Sequence, residues 1–163
     1  MIKIKELTED SWGRVRALRI AQLIESPESF SGNPEEESLR EENYWREKFL
    51  TIRYLVAIDD DSDIALVAIE NLEGDFGATC WIGWCWTDPD FRNQGILRTM
   101  ISFIDANARA NDWGVIGLGV WTDNEPAIKA YEKLGFVQMG DETPSTNHPG
   151  RAHQRMIRGL PAL

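Results

Sequence analysis

The sequence predicts one mixed α/β (α+β) domain: a central, mostly antiparallel sheet of about six to seven strands flanked by about four helices. Three observations carry this reading. β-rich apolar runs alternate with segments of helical periodicity along all 163 residues. The run Val115–Trp121 is almost wholly apolar, as a strand buried on both faces must be. No repeat, low-complexity tract or linker interrupts the chain, so residues 1–163 are expected to form a single unit, and a 42% hydrophobic content is enough for a core.

The elements follow in order. Ile2–Leu7 reads as a strand. Thr8 can cap a helix whose first turn holds Glu9 and Asp10 and whose apolar side includes Val15, Leu18 and Leu23. Ser26-Pro27 ends it, because proline disfavours helix in the residue before it. After a loop at Ser31–Pro34, residues Glu35–Leu50 read as a second helix with Leu39, Tyr44, Trp45 and Phe49 available for burial. Strands at Arg53–Ile58 and Ile64–Glu70 flank an Asp59–Asp63 turn. A loop near Asn71–Gly77 leads to a Trp-rich strand at about Ala78–Thr87. A basic, Gly-containing loop then opens into a helix reaching about Ala110, with Ile96, Met100, Ile101, Phe103, Ile104 and Ala108 inward. Asn111–Gly114 breaks that helix ahead of the Val115–Trp121 strand. Glu125–Leu134 is a short helix stopped by Gly135. Phe136–Asp141 and His153–Arg158 are the last strands, joined by the loop Thr143–Gly150.

Composition excludes several roles. A net charge of −10 argues against nucleic acid, which selects basic surfaces. The acidic clusters Glu35–Glu37, Glu41-Glu42 and Asp59–Asp61 read as a solvated surface, with attraction of a cationic substrate as the sharper alternative. No apolar run approaches the roughly 20 residues of a membrane span, and the N-terminus lacks the apolar core of a secretory signal. Cys80 and Cys85, on opposite faces of one strand, cannot pair with each other, so a reducing cytoplasm is the expected location. Two histidines and two cysteines without ligand spacing imply no metal.

The stretch Trp86-Thr-Asp-Pro-Asp-Phe-Arg-Asn-Gln-Gly-Ile-Leu-Arg98 carries the chemistry. A helix start presents unpaired N–H groups and the positive end of a dipole to phosphate oxygens. Arg92 and Arg98 add cations, and Gly95 lets backbone approach a ligand. Such loops are common, so alone the signal is weak. A second segment, Asn124-Glu-Pro-Ala-Ile-Lys-Ala-Tyr131-Glu-Lys-Leu-Gly-Phe136, follows the buried strand at the spacing of one βα unit.

Together the two segments resemble the GNAT-type N-acetyltransferase family. Pro89, Arg92 and Gly95 match its first signature, and Asn124, Ala127, Tyr131, Gly135 and Phe136 its second. Leu97 departs from the pattern, standing where the family has Gly or Ala. Because backbone donation does not depend on that side chain, weaker or shifted coenzyme binding is expected rather than none. The element order fits as well, so the resemblance covers nearly the whole chain.

The resemblance implies direct acetyl transfer from acetyl-CoA, as cosubstrate, to a primary amine. Its coenzyme would lie where the fourth and fifth strands splay, in a core at about 78–136, with acceptor-side elements at about 8–72 and 137–158. Coenzyme contacts map to Cys85, Trp86, Thr87, Arg92, Asn93, Gln94, Gly95, Ile96, Leu97, Arg98, Asn124 and Tyr131. Tyr131 becomes the candidate general acid toward the thiolate, a phenol being about 1.5 units less acidic than a thiol. Glu70 is the candidate base, and Asp88 more naturally shapes its Asp-Pro turn. Phe30, Tyr44 and Trp45 are candidates to line the acceptor cleft. Trp81 lies on the strand face opposite Trp84 and Trp86, so one strand cannot aim all three into an aromatic cage. The acceptor is a small-molecule amine or a protein amine, and family members are often homodimers. The rival reading is a coenzyme-binding sensor or partner module without transferase activity. A nucleotide-phosphate enzyme would need the Gly-x-x-x-x-Gly-Lys-Ser/Thr loop that this sequence lacks.

Overall fold

The computed structural model describes residues 1–159. Seven strands run in the order β1-β2-β3-β4-β5-β7-β6, antiparallel except for the parallel β4–β5 pair. The chain forms two compact units: Met1–Glu70 with Trp84–Ile104, and Asn71–Gly83 with the chain from Asp105 onward.

In the first unit, β1 (Lys3–Glu6) pairs with β2 (Ile52–Asp59), which forms a hairpin with β3 (Ser62–Asn71). The two-residue turn Asp60-Asp61 has φ of 45° and 66°, the left-handed pair that matches strand twist. Successive residues of β2 and β3, Tyr54–Ala57 and Ile64–Ile69, are all buried, so both faces of this hairpin are covered. Thr8 starts a 3-10 turn through its carbonyl, which accepts from Ser11 N–H at 2.8 Å, its side chain making no cap, and α1 follows at Trp12–Glu25. Its Val15 and Leu18 join Leu7, Trp45, Tyr54, Val56, Leu66, Ala68 and Trp86 in one apolar cluster.

The expected helix over 35–50 is two helices, α2 (Pro34–Ser38) and α3 (Glu42–Lys48). α2 is set by Pro34 in its first turn and by Asn33, whose side chain accepts from the N–H groups of Glu35 and Glu36. No residue of α2 is buried, Leu39 is 82% exposed, and Glu41 turns extended to start α3. The long helix that follows β4 (Cys80–Thr87) is likewise interrupted at Asn107, giving α4 (Ile96–Ala106) and α5 (Ala108–Asn111). Ile96, Met100, Ile101, Ile104 and Ala108 are buried as expected, and Phe103 is half-buried. With α6 (Glu125–Lys133), two such breaks turn the expected four helices into six among the described residues.

In the second unit, β5 (Val115–Trp121) pairs with the start of β4 at Cys80↔Ile116 and Trp81↔Gly117. The Trp81 ring lies so close over Gly117 that a Cβ there would sit 3.0 Å from it. β7 (Ala152–Gly159) joins β5 to β6 (Val137–Pro144). β6 outruns its expected end because the chain bulges at Gly140, φ +75°, and then re-pairs Thr143 with His153. Buried Gln154 donates to the carbonyls of Met139 and Gly140 at that bulge (3.0 and 3.2 Å). Cys80 is buried and Cys85 half-buried, both as free thiols. Among the described residues, no helix is long and apolar enough to cross a membrane.

Candidate functional site

β4 changes direction at Trp84, a non-glycine residue at φ +54°, where a side chain costs about 1–2 kcal/mol. The two pairings to β5 come before this point. The Trp84 carbonyl accepts instead from the side chain of Gln22 on α1, at 3.1 Å. The next residues, Cys85, Trp86 and Thr87, lead into the expected phosphate loop. Asp88 holds its turn: its N–H donates to Ile64 O (2.8 Å) and its carboxylate accepts from Asp90 N–H (2.9 Å).

The loop then takes two left-handed residues, Asn93 at φ +61° and Gly95 at φ +77°. Nothing lies within 4 Å of where a Gly95 Cβ would be, so the glycine meets a backbone requirement and leaves open space. The first backbone bond of α4 is Thr99 N–H to Gly95 O, 3.0 Å. Among the described residues, the N–H groups of Ile96, Leu97 and Arg98 donate to nothing, the usual state of a helix start. Ile96 is buried, Leu97 half-buried, and Asn93, Gln94 and Arg98 exposed. Gln94 donates to Asp90 O at 3.2 Å.

Arg92 is anchored rather than loose. Its Nε donates to Thr87 O (3.0 Å), and its Nη2 to the carboxylate of Glu25, the last residue of α1. The same Glu25 oxygen accepts from Trp86 Nε1 at 2.9 Å and Ser26 Oγ at 2.5 Å. Desolvation pushes the Glu25 carboxyl upward, but hydrogen bonds from Ser26, Trp86 and Arg92 outweigh it and hold the group below the ordinary carboxylate range. Sequence reading gave no signal for Glu25, because an acidic residue ending a helix looks like any surface charge.

A buried polar cluster lies beside Trp84 in the same unit. Arg19 is 4% exposed, donating Nη1 to Gln22 Oε1 (2.7 Å) and Nη2 to Ser31 O (2.6 Å). Its guanidinium carbon stands 4.2 Å over the Trp84 ring, and its Nε is 4.0 Å from Glu37. Lys48 Nζ lies 5.3 Å over Trp84 and 4.6 Å over Tyr44, whose ring also carries Arg40 at 4.8 Å. Four polar atoms here are buried without a partner among the described residues: Arg19 Nε, Glu37 Oε2, Trp45 Nε1 and Tyr54 Oη. Each costs about 1–3 kcal/mol while unpaired. Burial pushes the Tyr54 hydroxyl well above its ordinary value; Tyr44, Glu70 and Glu37 add to this and Arg19 opposes it.

The strand register, Tyr54 opposite Ala68 and Ile52 opposite Glu70, sets Glu70 at the end of β3 on the same hairpin face as Tyr54. Phe30 and Tyr44 are half-buried against the apolar core. Trp45 is fully buried, so it serves the core and does not line an open cleft. The aromatic residues divide as the strand alternation requires: Trp84 and Trp86 join the apolar cluster, while Trp81 packs on Gly117.

In the second unit, Asn124 caps α6, its Oδ1 accepting from Ala127 N–H at 3.3 Å. Tyr131 follows at i+7 on the same helix, half-buried, its ring edge-on to Phe136 at 5.6 Å. The helix exit holds it: the N–H groups of Leu134 and Phe136 both bond Tyr131 O, and Gly135 takes φ +97°. Both histidines pack on Trp121, His153 stacked at 3.9 Å and His148 edge-on at 5.3 Å. Among the described residues, no cluster of three or more His, Cys, Asp or Glu side chains could hold a metal ion.

Comparison with known proteins bears on these features. A model described as the Acetyltransferase (GNAT) family matches residues 17–136, a span that includes both the Pro89–Gly95 and the Asn124–Phe136 signatures. A search of curated proteins returns no match. Among solved structures, a ribosomal-protein-S5-alanine acetyltransferase from Vibrio fischeri superposes with a TM-score of 0.77 at 16% identity, covering 98% of this chain and 93% of its own. An N-acetyltransferase from Staphylococcus aureus gives 0.74 at 17%, covering 98% of both chains. A Salmonella typhimurium protein solved with its cofactor acetyl-CoA gives 0.72 at 13%, covering 100% of this chain and 96% of its own. At such identities these structures speak for the fold, and the family match, spanning well over half of the chain, speaks for descent: this protein belongs to the GNAT acetyltransferase family.

Proposed function

We propose that this protein transfers an acetyl group from acetyl-CoA directly to a primary amine. The carrying observation is the Arg92–Arg98 loop, which combines an anchored arginine, open space at a left-handed Gly95 and unpaired N–H groups at the start of α4. These fit a pyrophosphate, and a structural relative is solved with acetyl-CoA.

Bound acetyl-CoA would supply the acetyl group as an activated thioester. Arg92 and the backbone from Asn93 to Arg98 hold the pyrophosphate. Cys85, Trp86 and Thr87 flank the pantetheine arm, and an N–H at Trp86 or Thr87 polarises the thioester carbonyl. Asn124, whose Oδ1 serves as helix cap, has its amide N–H groups for the coenzyme. Tyr131 donates to the departing sulfur, and Glu70 receives the amine proton directly or through water. Tyr131 is supported by its match to the family signature and Glu70 by its place at the end of β3 on the same hairpin face as Tyr54. Two free thiols fit a reducing compartment such as the cytoplasm.

A thiol-release assay with acetyl-CoA and a panel of amines tests this reading. Amine-dependent release is the expected result. Saturable coenzyme binding with no release from any amine would make the chain a coenzyme-binding module instead.

A further inference from the structure

We propose that the acceptor is an amine that also carries a carboxylate, of the amino-acid type, held through Arg19, Lys48 and Tyr54. The inference rests on the acetyl-transfer reading above. A purely cationic acceptor, such as a polyamine, would use open aromatic faces for its charge. Here those faces are taken by the protein's own cations: Arg19 and Lys48 stand over Trp84, and Lys48 and Arg40 over Tyr44. A second cation approaching either ring meets repulsion, whereas an anion meets attraction.

The unpaired atoms point the same way. With Trp45 left to the core, Arg19 Nε and the Tyr54 hydroxyl can donate, against the single acceptor Glu37 Oε2. A cluster with surplus buried donors is completed by a group rich in acceptor oxygens, and a carboxylate is the smallest that also carries charge. Glu37, 4.0 Å from Arg19 Nε, and Glu70, on the same hairpin face as Tyr54, give the ammonium end its counter-charge. The cluster adjoins the reacting region through Trp84, one residue before Cys85, whose carbonyl is held by Gln22. On its other side Ser31 and Gly32 close over Arg19: Ser31 O accepts from Nη2, and a Cβ on Gly32 would lie 2.9 Å from the same atom.

The test compares free amino acids, their methyl esters and polyamines in the thiol-release assay, with wild-type protein and the variants Lys48→Gln and Lys48→Glu. Thermal melts establish that each variant is folded. The esters, which keep the amine and lose the carboxylate, should fall in kcat/KM by about tenfold or more. Lys48→Glu should raise the acceptor KM by about tenfold, with Lys48→Gln in between, while the KM for acetyl-CoA stays constant. Equal turnover of amino acids, esters and polyamines overturns the proposal, as does an acceptor KM indifferent to Lys48→Glu. Amine-dependent release that is indifferent to the carboxylate overturns it alone. No release from any amine, with or without coenzyme binding, overturns the acetyl-transfer reading as well.

Discussion

Replacing Tyr54 with phenylalanine should stabilise the protein while impairing it. The side chain is fully buried and its hydroxyl has no partner among the described residues. An unpaired buried hydroxyl costs about 1–3 kcal/mol relative to a paired one. Deleting the oxygen removes that cost and forfeits only a few dispersion contacts, worth about 0.1–0.2 kcal/mol each. The ring contacts survive: Phe49 remains at 5.0 Å and Trp84 at 5.9 Å. A net gain of about 1 kcal/mol follows, corresponding to a rise in Tm of about 2–4 °C for a chain of this size. Urea denaturation monitored by tryptophan fluorescence reads the stability directly, and unchanged m-values would show that the denatured state is unaltered. If Tyr54 donates to the acceptor, the same variant should raise the acceptor KM. A loss of stability of about 0.5 kcal/mol or more would refute the reasoning, because the hydroxyl would then be satisfied in the folded protein.

Tyr131→Phe should lower kcat with little change in coenzyme affinity, and unaltered turnover would remove the phenol from the mechanism. Arg92→Ala should weaken acetyl-CoA binding by about tenfold or more, the worth of a charge-assisted contact, as read by calorimetry. Asn124→Ala should cost about 1 kcal/mol of stability through loss of the α6 cap, as read by chemical denaturation. Glu25 governs an acid-side effect: its folded carboxyl lies below the ordinary range, so its contribution is complete above the unfolded value of about 4.3 and is lost as pH falls through the lower folded value. Because Glu25 and Arg92 are 31% and 42% exposed, the pair is worth less than about 1 kcal/mol. Glu25→Gln should flatten the fall in stability on acidification below the unfolded value by about that much, and an unchanged acid profile would contradict it.

Elements set by local chemistry were legible in the sequence. Val115–Trp121 could be read to the residue, because seven successive residues without a charge admit few alternatives to a buried strand. Gly135 was legible because left-handed positions restrict residue choice, and the acidic run marked the Asp59–Asp63 turn, although the strands close to leave Asp60-Asp61 alone. The split between α2 and α3 was not: Trp45 and Phe49 fit helical spacing, and only the structure shows Leu39 facing solvent and Glu41 extended. The backbone of the Arg92–Arg98 loop, left-handed at Gly95 and opening into α4, was legible for the same local reason, being written in consecutive residues. The buried cluster was invisible because Arg19, Glu37 and Tyr54 come from three separate elements. A buried arginine carries no mark distinguishing it from an exposed one until α1 and β4 set it against Trp84.

Calorimetric titration with acetyl-CoA and, separately, with ATP decides whether the Arg92–Arg98 loop is the pyrophosphate grip of a coenzyme site. Saturable one-site binding of acetyl-CoA, weakened in Arg92→Ala, with no comparable response to ATP, is the predicted result. Tight ATP binding with no response to acetyl-CoA would contradict it.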